Sequence, residues 1–160
     1  MIQRTLVLLK PDAVQRGHMG EIITRFERAG LKMVACKLVW VDKEFSKLHY
    51  AEHVGNKFYP GLEALITQGP VLAMVIEGVE AIETVRKIVG PTEPKSAPAG
   101  TIRGDFAHVS YGHADEMGIG IKNLIHASAN KEDAAKELTL WFKPEEIHSY
   151  KSVHDIHVLE

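Results

Sequence analysis

Short apolar segments alternate with amphipathic segments along the chain, and this alternation restricts the possible folds more than any other feature. A continuously apolar run spans Thr5 to Leu9 and ends in the turn Lys10-Pro11-Asp12. Two further strand-like segments span Leu31 to Val41 and Val71 to Ile76. We expect a last strand within Met117 to Ile125, so the sequence predicts four strands.

Helical patterns lie between these strands. Apolar residues recur with helical spacing from Gly20 to Ala29, and Gly30 follows where a helix end favours left-handed backbone. Asp42 is predicted to cap a helix that runs to about His53, and Asn130 to cap another that runs to Leu140. The remaining helical patterns cover Pro60 to Ile66 and Ile82 to Val89. Three prolines between Pro91 and Gly100 predict a surface loop without regular structure, and the C-terminal tail is expected to be irregular.

The resulting order, β-α-β-αα-β-α-β-α, predicts an α+β sandwich. It is typical of the ferredoxin-like βαββαβ arrangement, in which helices pack over one face of a mainly antiparallel four-stranded sheet. A chain of 160 residues that is 45% hydrophobic is long enough to bury a core. We therefore expect a single domain over residues 1–160.

Charge and cysteine content limit the function classes. A net charge of -2 argues against dedicated nucleic-acid binding, so a polyanionic ligand would need a local basic cluster. One cysteine, Cys36, rules out an intramolecular disulfide, and its apolar neighbours predict a buried, inert thiol. No stretch approaches about 18 apolar residues and no signal peptide is recognisable, so we expect a cytoplasmic protein without membrane association.

Neither glycine motif for phosphate binding is present. There is no G-x-x-x-x-G-K-[ST] sequence, and Gly118-Ile119-Gly120 lacks the third glycine of a dinucleotide motif. Phosphate binding would therefore rely on side chains, and the candidates are Lys10, Arg86, Thr92 and Arg103. For each residue taken alone, a surface salt bridge is the more common role.

A second pattern, His49-Tyr50-Ala51-Glu52-His53, matches the zinc motif H-x-x-E-H. The match is short, no third ligand is distinguishable, and a chain of this length leaves little room for a protease cleft. We interpret the two histidines as solvent-side residues of an amphipathic helix.

The segment Asn123-Leu124-Ile125-His126-Ala127-Ser128 carries a stronger indication of chemistry. A histidine that follows an apolar run and precedes two small residues can have an uncrowded ring nitrogen, as a nucleophile requires. On this motif alone, a satisfied core or loop histidine would be the better interpretation.

Four segments together resemble the nucleoside diphosphate kinase family, in the order that the family shows. They are Lys10-Pro11-Asp12-Ala13-Val14-Gln15-Arg16-Gly17, Gly100-Thr101-Ile102-Arg103-Gly104-Asp105-Phe106, Asn123-Leu124-Ile125-His126-Ala127-Ser128 and Glu137-Leu138-Thr139-Leu140-Trp141-Phe142. The third segment fits the specific signature N-x-x-H-[G/A]-S, and the resemblance runs from about residue 3 to the C-terminus.

The resemblance implies a ping-pong enzyme that moves the γ-phosphate of a nucleoside triphosphate, mainly ATP, to a nucleoside diphosphate. It implies phosphorylation of His126, orientation of its ring by Glu137, support from Tyr50 and Ser128, and stacking of the base on Phe58. It also implies broad base and sugar specificity, and Mg²⁺ held by the nucleotide phosphates rather than by protein side chains. The phosphates and ribose would be held by Lys10, Arg86, Thr92, Arg103 and Asn123.

One segment and two single positions depart from the family pattern. The segment from Phe106 to Lys122 looks like an insertion of about ten residues, and Ile119 or Ile121 within it is expected to face Phe58 across the base. Ala129 replaces a frequent acid and Asn56 a frequent basic residue.

By resemblance we also expect a homo-oligomer, a hexamer or else a tetramer, with subunit contacts at the loop from Pro91 to Gly100. A non-catalytic nucleotide sensor and a nucleic-acid-binding role are the alternative functions.

Overall fold

A four-stranded antiparallel sheet forms the centre of the protein in a computed structural model that describes residues 1–159. The strands are β1 (Ile2–Leu9), β2 (Lys32–Val39), β3 (Val71–Val79) and β4 (Ile125–Ala127), in the spatial order β2-β3-β1-β4. Strand β1 pairs with β3 along its whole length and with β4 at its C-terminal end. The predicted α+β, ferredoxin-like class with a mainly antiparallel sheet is confirmed.

Both faces of the sheet are buried, because residues along β1 alternate between two hydrophobic clusters. Val7 and Leu9 pack in the cluster that contains Phe26, whereas Leu6 and Leu8 pack in the cluster on the opposite face. The expectation that helices cover one face only is therefore wrong.

Helices α1 to α9 surround the sheet, and most begin or end where the sequence indicated. The Asp42 carboxylate accepts a hydrogen bond from the Phe45 N–H at 2.8 Å, and Asn130 likewise caps the helix that carries Glu137. Gly30 has φ 77°, as predicted for a left-handed helix end. The helices are Pro11–Gln15, Met19–Arg28, Lys43–His49, Tyr59–Thr67, Ala81–Val89, Ile102–Phe106, Tyr111–Met117, Lys131–Trp141 and Asp155–Val158. None of these helices is long and apolar enough to cross a membrane.

The strand expected within Met117 to Ile125 is wrong in its position. Most of this segment is an irregular connection after α7, and β4 begins only at Ile125. Two residues with positive φ bound the connection, Gly118 at 63° and Leu124 at 71°. Left-handed backbone is incompatible with a continuous strand, so the apolar residues Ile119 and Ile121 line a cavity instead.

Smaller corrections concern the loops. Helix α3 ends at His49 rather than near His53. The proline-rich loop, expected to lack regular structure, contains a 3₁₀ turn at Pro94–Ser96. The C-terminal tail, expected to be irregular, contains the 3₁₀ turn Pro144–Glu146 and helix α9. The tail also contacts the sheet edge, because the His148 N–H donates to the Val34 carbonyl of β2 at 2.8 Å.

The prediction of a buried Cys36 is also wrong, since its side chain is exposed. A bulge between Met33 and Ala35 interrupts the pairing of β2 with β3, and both Val34 and Ala35 are buried. This break in the alternation turns the Cys36 side chain toward solvent. Partial burial still raises the pKa of the thiol, which favours its protonated form.

Candidate active site

A cavity of about 640 Å³ lies at the C-terminal end of β1, beside β4. Eight of the ten residues that the sequence indicated as site residues line this cavity: Lys10, Tyr50, Phe58, Arg86, Thr92, Arg103, Asn123 and His126. The other two, Ser128 and Glu137, are joined to His126 by hydrogen bonds. The structure thus brings together residues from both ends of the chain.

A chain of hydrogen bonds that begins at the backbone of β1 leads to the Nε2 atom of His126, in β4. The Leu6 N–H donates to Ser128 Oγ at 3.2 Å, and the Ser128 hydroxyl donates to Glu137 Oε2 at 2.6 Å. Glu137 Oε1 lies 2.9 Å from His126 Nε2. A carboxylate at this distance favours a proton on Nε2, which leaves the lone pair of the ring on Nδ1.

Two opposing effects act on the Glu137 carboxyl. Burial raises its pKa, but the hydrogen bonds and charge interaction with His126, together with the Ser128 hydroxyl, outweigh burial and lower the pKa below its usual value. Glu137 is therefore ionised at neutral pH and able to stabilise a positive charge on the His126 ring.

Lys10 follows β1 directly and is buried, with its Nζ donating to Asn123 Oδ1 at 2.7 Å. Burial, reinforced by the nearby charge of Arg103, lowers the pKa of Lys10 to about 8, and Asp12 partly opposes this shift. An approaching anion would stabilise the charged form of this buried amine.

Arg103, in α6, is the second buried cation of the cavity. Its guanidinium donates to the carbonyl oxygens of Asn123 at 3.2 Å, Gly90 at 3.0 Å and Ile125. Burial and the charge of Arg86 lower the pKa of Arg103 to about 10, so the group stays charged at neutral pH.

The basic side chains of the cavity are not neutralised by acidic neighbours. Within residues 1–159, no carboxylate oxygen lies within 4.0 Å of the side-chain nitrogens of Lys10, Arg86 or Arg103. This local cluster provides the binding capacity for a polyanion that the overall charge of the chain does not.

Asn123 connects the basic cluster to the proline-rich loop. Its side-chain amide donates to the Thr92 carbonyl at 2.8 Å while its oxygen accepts from Lys10. Tyr50 lines the cavity nearby, and burial raises the pKa of its phenol, so Tyr50 is neutral at neutral pH.

The opposite end of the cavity is apolar and open. Phe58 is 54% exposed and Ile119 is 43% exposed, whereas Ile121 is only 8% exposed. The two walls meet closely at Gly61 and Gly120, because a Cβ atom on Gly120 would lie 2.5 Å from the Gly61 carbonyl oxygen. The exposed Phe58 and Ile119 side chains both border this end of the cavity.

Several lining residues were not indicated as site residues by the sequence. The apparent insertion contributes Tyr111, Ala114 and Asp115 from helix α7, and His53 and Leu62 contribute from the region of α4. None of the five belongs to a binding motif, although His53 was considered as a zinc ligand. Their place in the cavity depends on how α7 and the region of α4 pack beside it.

The H-x-x-E-H histidines do not form a metal site, and within residues 1–159 no cluster of three acidic, histidine or cysteine side chains could hold a metal ion. His53 is exposed, as expected, but His49 is half-buried, so its solvent-side assignment is wrong. The Trp141 indole donates to His49 Nδ1 at 3.2 Å, and the His49 ring packs edge-to-face with His126 at 4.8 Å. Burial, then the neighbouring His126, lowers the pKa of His49 well below its usual value, so this ring is neutral.

Comparison with known proteins agrees with this geometry. The family model described as nucleoside diphosphate kinase matches residues 3–147. The chain is 50% identical to nucleoside diphosphate kinase from Pyrococcus furiosus over 154 residues, which cover 96% of this chain and 91% of the relative. It is 49% identical to nucleoside diphosphate kinase from Thermus thermophilus over 146 residues, covering 91% and 99% of the two chains.

Solved structures agree closely as well. A transition-state mimic of nucleoside-diphosphate kinase from Borrelia burgdorferi, with bound vanadate and ADP, superposes with a TM-score of 0.96 at 46% identity, covering 99% of this chain and 97% of that chain. A halophilic nucleoside diphosphate kinase from Halobacterium salinarum in complex with CDP gives 0.89 at 41% identity, with full coverage of both chains. The chain therefore belongs to the nucleoside diphosphate kinase family, enzymes that transfer phosphate between nucleotides.

Proposed function

We propose that this enzyme transfers the γ-phosphate of a nucleoside triphosphate, mainly ATP, to a nucleoside diphosphate by a ping-pong reaction through phosphorylated His126. The observation that carries the proposal is the 2.9 Å contact between His126 Nε2 and Glu137, which leaves Nδ1 as the nucleophilic nitrogen on a residue that lines the basic cavity.

In the first half-reaction, the Nδ1 lone pair of His126 forms a bond to the γ-phosphorus, and the bond from that phosphorus to the β,γ-bridging oxygen breaks. The nucleoside diphosphate leaves with the bridging electron pair, and the imidazole becomes a cation whose Nε2–H donates to Glu137. In the second half-reaction, a terminal oxygen of the β-phosphate of another diphosphate forms a bond to the phosphorus, the bond from phosphorus to Nδ1 breaks, and its electron pair returns to the ring to regenerate neutral His126.

Phosphoryl transfer requires alignment and charge compensation more than covalent help from the protein. Lys10, Arg86 and Arg103 supply positive charge around the phosphates, and Thr92 and Asn123 supply hydrogen bonds. Mg²⁺ would bind mainly through the phosphates, since Asp115 is the only carboxylate among residues 1–159 that lines the cavity. When bound, the ion compensates phosphate charge and fixes the phosphate conformation.

We further propose that the base stacks on Phe58, with the exposed Ile119 on its other face. Because every base has an aromatic face, this arrangement predicts broad base specificity. Initial-rate measurements with ADP, GDP, CDP and UDP as acceptors test it. Purine and pyrimidine acceptors that differ in kcat/KM by several orders of magnitude would contradict it.

The ping-pong order itself is tested by initial rates at several fixed concentrations of donor and acceptor. Parallel lines in double-reciprocal plots are expected, because the first product leaves before the acceptor binds. Lines that intersect would indicate a ternary complex and direct transfer between nucleotides.

The low pKa of Lys10 predicts that nucleotide binding weakens in alkaline solution. Binding a polyanion requires the charged form of Lys10, which is lost as the pH rises through its pKa of about 8. Affinity for ADP should therefore fall by up to about tenfold per pH unit above this value. Calorimetric titrations from about pH 7 to about pH 9.5 measure the effect. Lys10→Met should bind weakly at every pH, and a constant wild-type Kd over this range would refute the assignment.

Glu137→Gln is expected to lower kcat by about 10- to 100-fold. The amide retains an oxygen that can accept from Nε2–H, but it loses the negative charge that stabilises the cationic phosphorylated ring. The matched control is Glu132→Gln, an exposed position on the same helix. Stopped-flow measurement of kcat for both variants should show a loss only for Glu137→Gln. Equal kcat values for the two variants would argue against a role for the Glu137 charge.

We also propose a homo-oligomer, a hexamer with a tetramer as the alternative. The edge strand β2 and the residue beyond it expose Leu38 at 58% and Trp40 at 67%, as expected of surfaces that subunit contacts cover. Sedimentation equilibrium gives the assembly mass directly, and a monomer at micromolar concentration would contradict this proposal. The cytoplasmic location stays a prediction.

A further inference from the structure

We propose that Asp12 is a positioning residue for phosphotransfer, because its carboxylate holds Leu124 in a left-handed backbone conformation and so sets the relative positions of Asn123 and His126. This inference rests on the proposed function, since it concerns the same reaction. It assigns Asp12 no contact with the nucleotide.

The backbone at Leu124 adopts an uncommon conformation. Its φ is 71°, and the Ile125 N–H donates across it to the Asn123 carbonyl at 2.8 Å, the hydrogen bond of a γ-turn with positive φ, which is rare and strained. The side chain is fully buried, so leucine at this position serves the core while its backbone carries the strain. Such a conformation persists only where surrounding contacts determine it.

The turn after β1 supplies those contacts and binds both polar backbone groups of Leu124. Asp12 Oδ2 accepts a hydrogen bond from the Leu124 N–H at 3.0 Å. The backbone N–H of Lys10 donates to the Leu124 carbonyl at 2.8 Å. Without the Asp12 acceptor, the buried Leu124 N–H would lose its only partner among residues 1–159, which favours rotation to another conformation.

The residues on either side of Leu124 are those on which the reaction depends. Asn123 bonds Lys10 and the Thr92 carbonyl, and His126 follows two residues later in β4. Arg103 donates to the carbonyls of Asn123 and Ile125, so it contacts the chain on both sides of the left-handed residue. A change of φ at Leu124 would therefore turn Asn123 relative to His126.

The second oxygen of Asp12 gives the carboxylate a distinct electrostatic effect. Oδ1 is buried and has no hydrogen-bond partner among residues 1–159. The negative charge of Asp12 raises the pKa of both Lys10 and Arg103, in opposition to the larger effect of burial. Asp12→Asn keeps an oxygen acceptor for the Leu124 N–H and removes the charge, so it separates the two effects.

The test compares Asp12→Ala, Asp12→Asn and, as a matched control, Asp155→Ala. Asp155 also accepts a backbone N–H, that of Ser152 at 3.0 Å, but it lies in the C-terminal tail. Rapid-quench labelling of His126 at saturating ATP gives the rate constant of the chemical step for folded enzyme. Hydrogen–deuterium exchange of the segment 123–127 reports directly on the Leu124 amide.

We expect Asp12→Ala to slow labelling by about 30-fold or more at saturating ATP, because misalignment of reacting groups reduces the chemical step. The Leu124 amide should exchange at least about 100-fold faster, while amides of β1 keep their protection. Asp12→Asn should stay within about fivefold of the wild-type rate at neutral pH, and Asp155→Ala should match the wild type.

The inference would be overturned if Asp12→Ala were labelled on His126 at the wild-type rate and its Leu124 amide exchanged at the wild-type rate. It would also be overturned if Asp12→Asn were labelled as slowly as Asp12→Ala. If Asp12→Ala does not fold, Asp12→Ser, whose shorter side chain cannot reach the Leu124 amide, takes its place with the same expected results. Absence of label on the wild-type enzyme would contradict the proposed function instead, and the exchange measurement would still decide the role of Asp12.

Discussion

His126→Ala should lower kcat by about 10⁴-fold or more, the size of loss seen when a covalent nucleophile is removed. The histidine that packs against His126 cannot take its place. His49 lies beside His126, but its Nδ1 accepts from Trp141 and its Nε2 is buried. The basic cluster remains in the variant, so its Kd for ADP should stay within about threefold of the wild-type value.

Coupled assays of phosphotransfer and calorimetric titrations with ADP measure the two effects separately. His157→Ala, an exposed histidine in α9, is the control and should be fully active. A His126→Ala enzyme that retains more than about one per cent of wild-type kcat would exclude an obligatory phosphohistidine.

Arg103→Ala should lower the free energy of unfolding by about 1–3 kcal/mol, because buried carbonyl oxygens lose their donor. The guanidinium is only 8% exposed and donates to three backbone carbonyls, which would be left without these donors in the variant. Because two of those carbonyls flank Leu124, the variant should also lose at least about 100-fold in kcat/KM. Arg103→Lys keeps the charge but not the fork of donors, so its losses should be intermediate.

Urea unfolding of Arg103→Ala beside Arg16→Ala tests this account. Arg16 is exposed and makes one hydrogen bond, to the Phe106 carbonyl, so its loss should cost less than about 1 kcal/mol. Equal unfolding midpoints for the two variants would show that the buried hydrogen bonds of Arg103 contribute little to stability.

The features predicted correctly from sequence are those determined by short-range chemistry. Asp42 and Asn130 cap their helices through contacts only three residues away, and Gly30 ends a helix because glycine adopts positive φ without strain. Continuous apolar runs such as Thr5 to Leu9 identify buried strands. The order of the four strands and of the five predicted helices follows from these local signals, whereas α1, α6, α7 and α9 were not indicated by the sequence.

The errors arise where tertiary contacts override the local pattern. The bulge between Met33 and Ala35 depends on pairing with β3, and it alone explains why Cys36 is exposed. Strand β4 begins only at Ile125 because Leu124 before it has a positive φ and donates its N–H to Asp12, which is 112 residues away in sequence. No local pattern in Met117 to Ile125 contains that information.

The site shows the same division. Its basic residues and His126 were candidates from the sequence, but single motifs favoured surface salt bridges and a core histidine, and only the resemblance to the family assigned them roles. The neutral state of His49, the contribution of Asp115 from α7 and the hydrogen bond of Asp12 could not be named, since each depends on which segments pack together.

The most direct test of the central claim is to mix the enzyme with Mg²⁺ and γ-labelled ATP without an acceptor, and to map the label. The account predicts a label on His126 that is acid-labile and base-stable, is absent from His126→Ala, and is discharged by GDP or CDP. Folded enzyme that binds nucleotide but acquires no label on His126 would contradict the phosphohistidine mechanism and favour a non-catalytic nucleotide sensor.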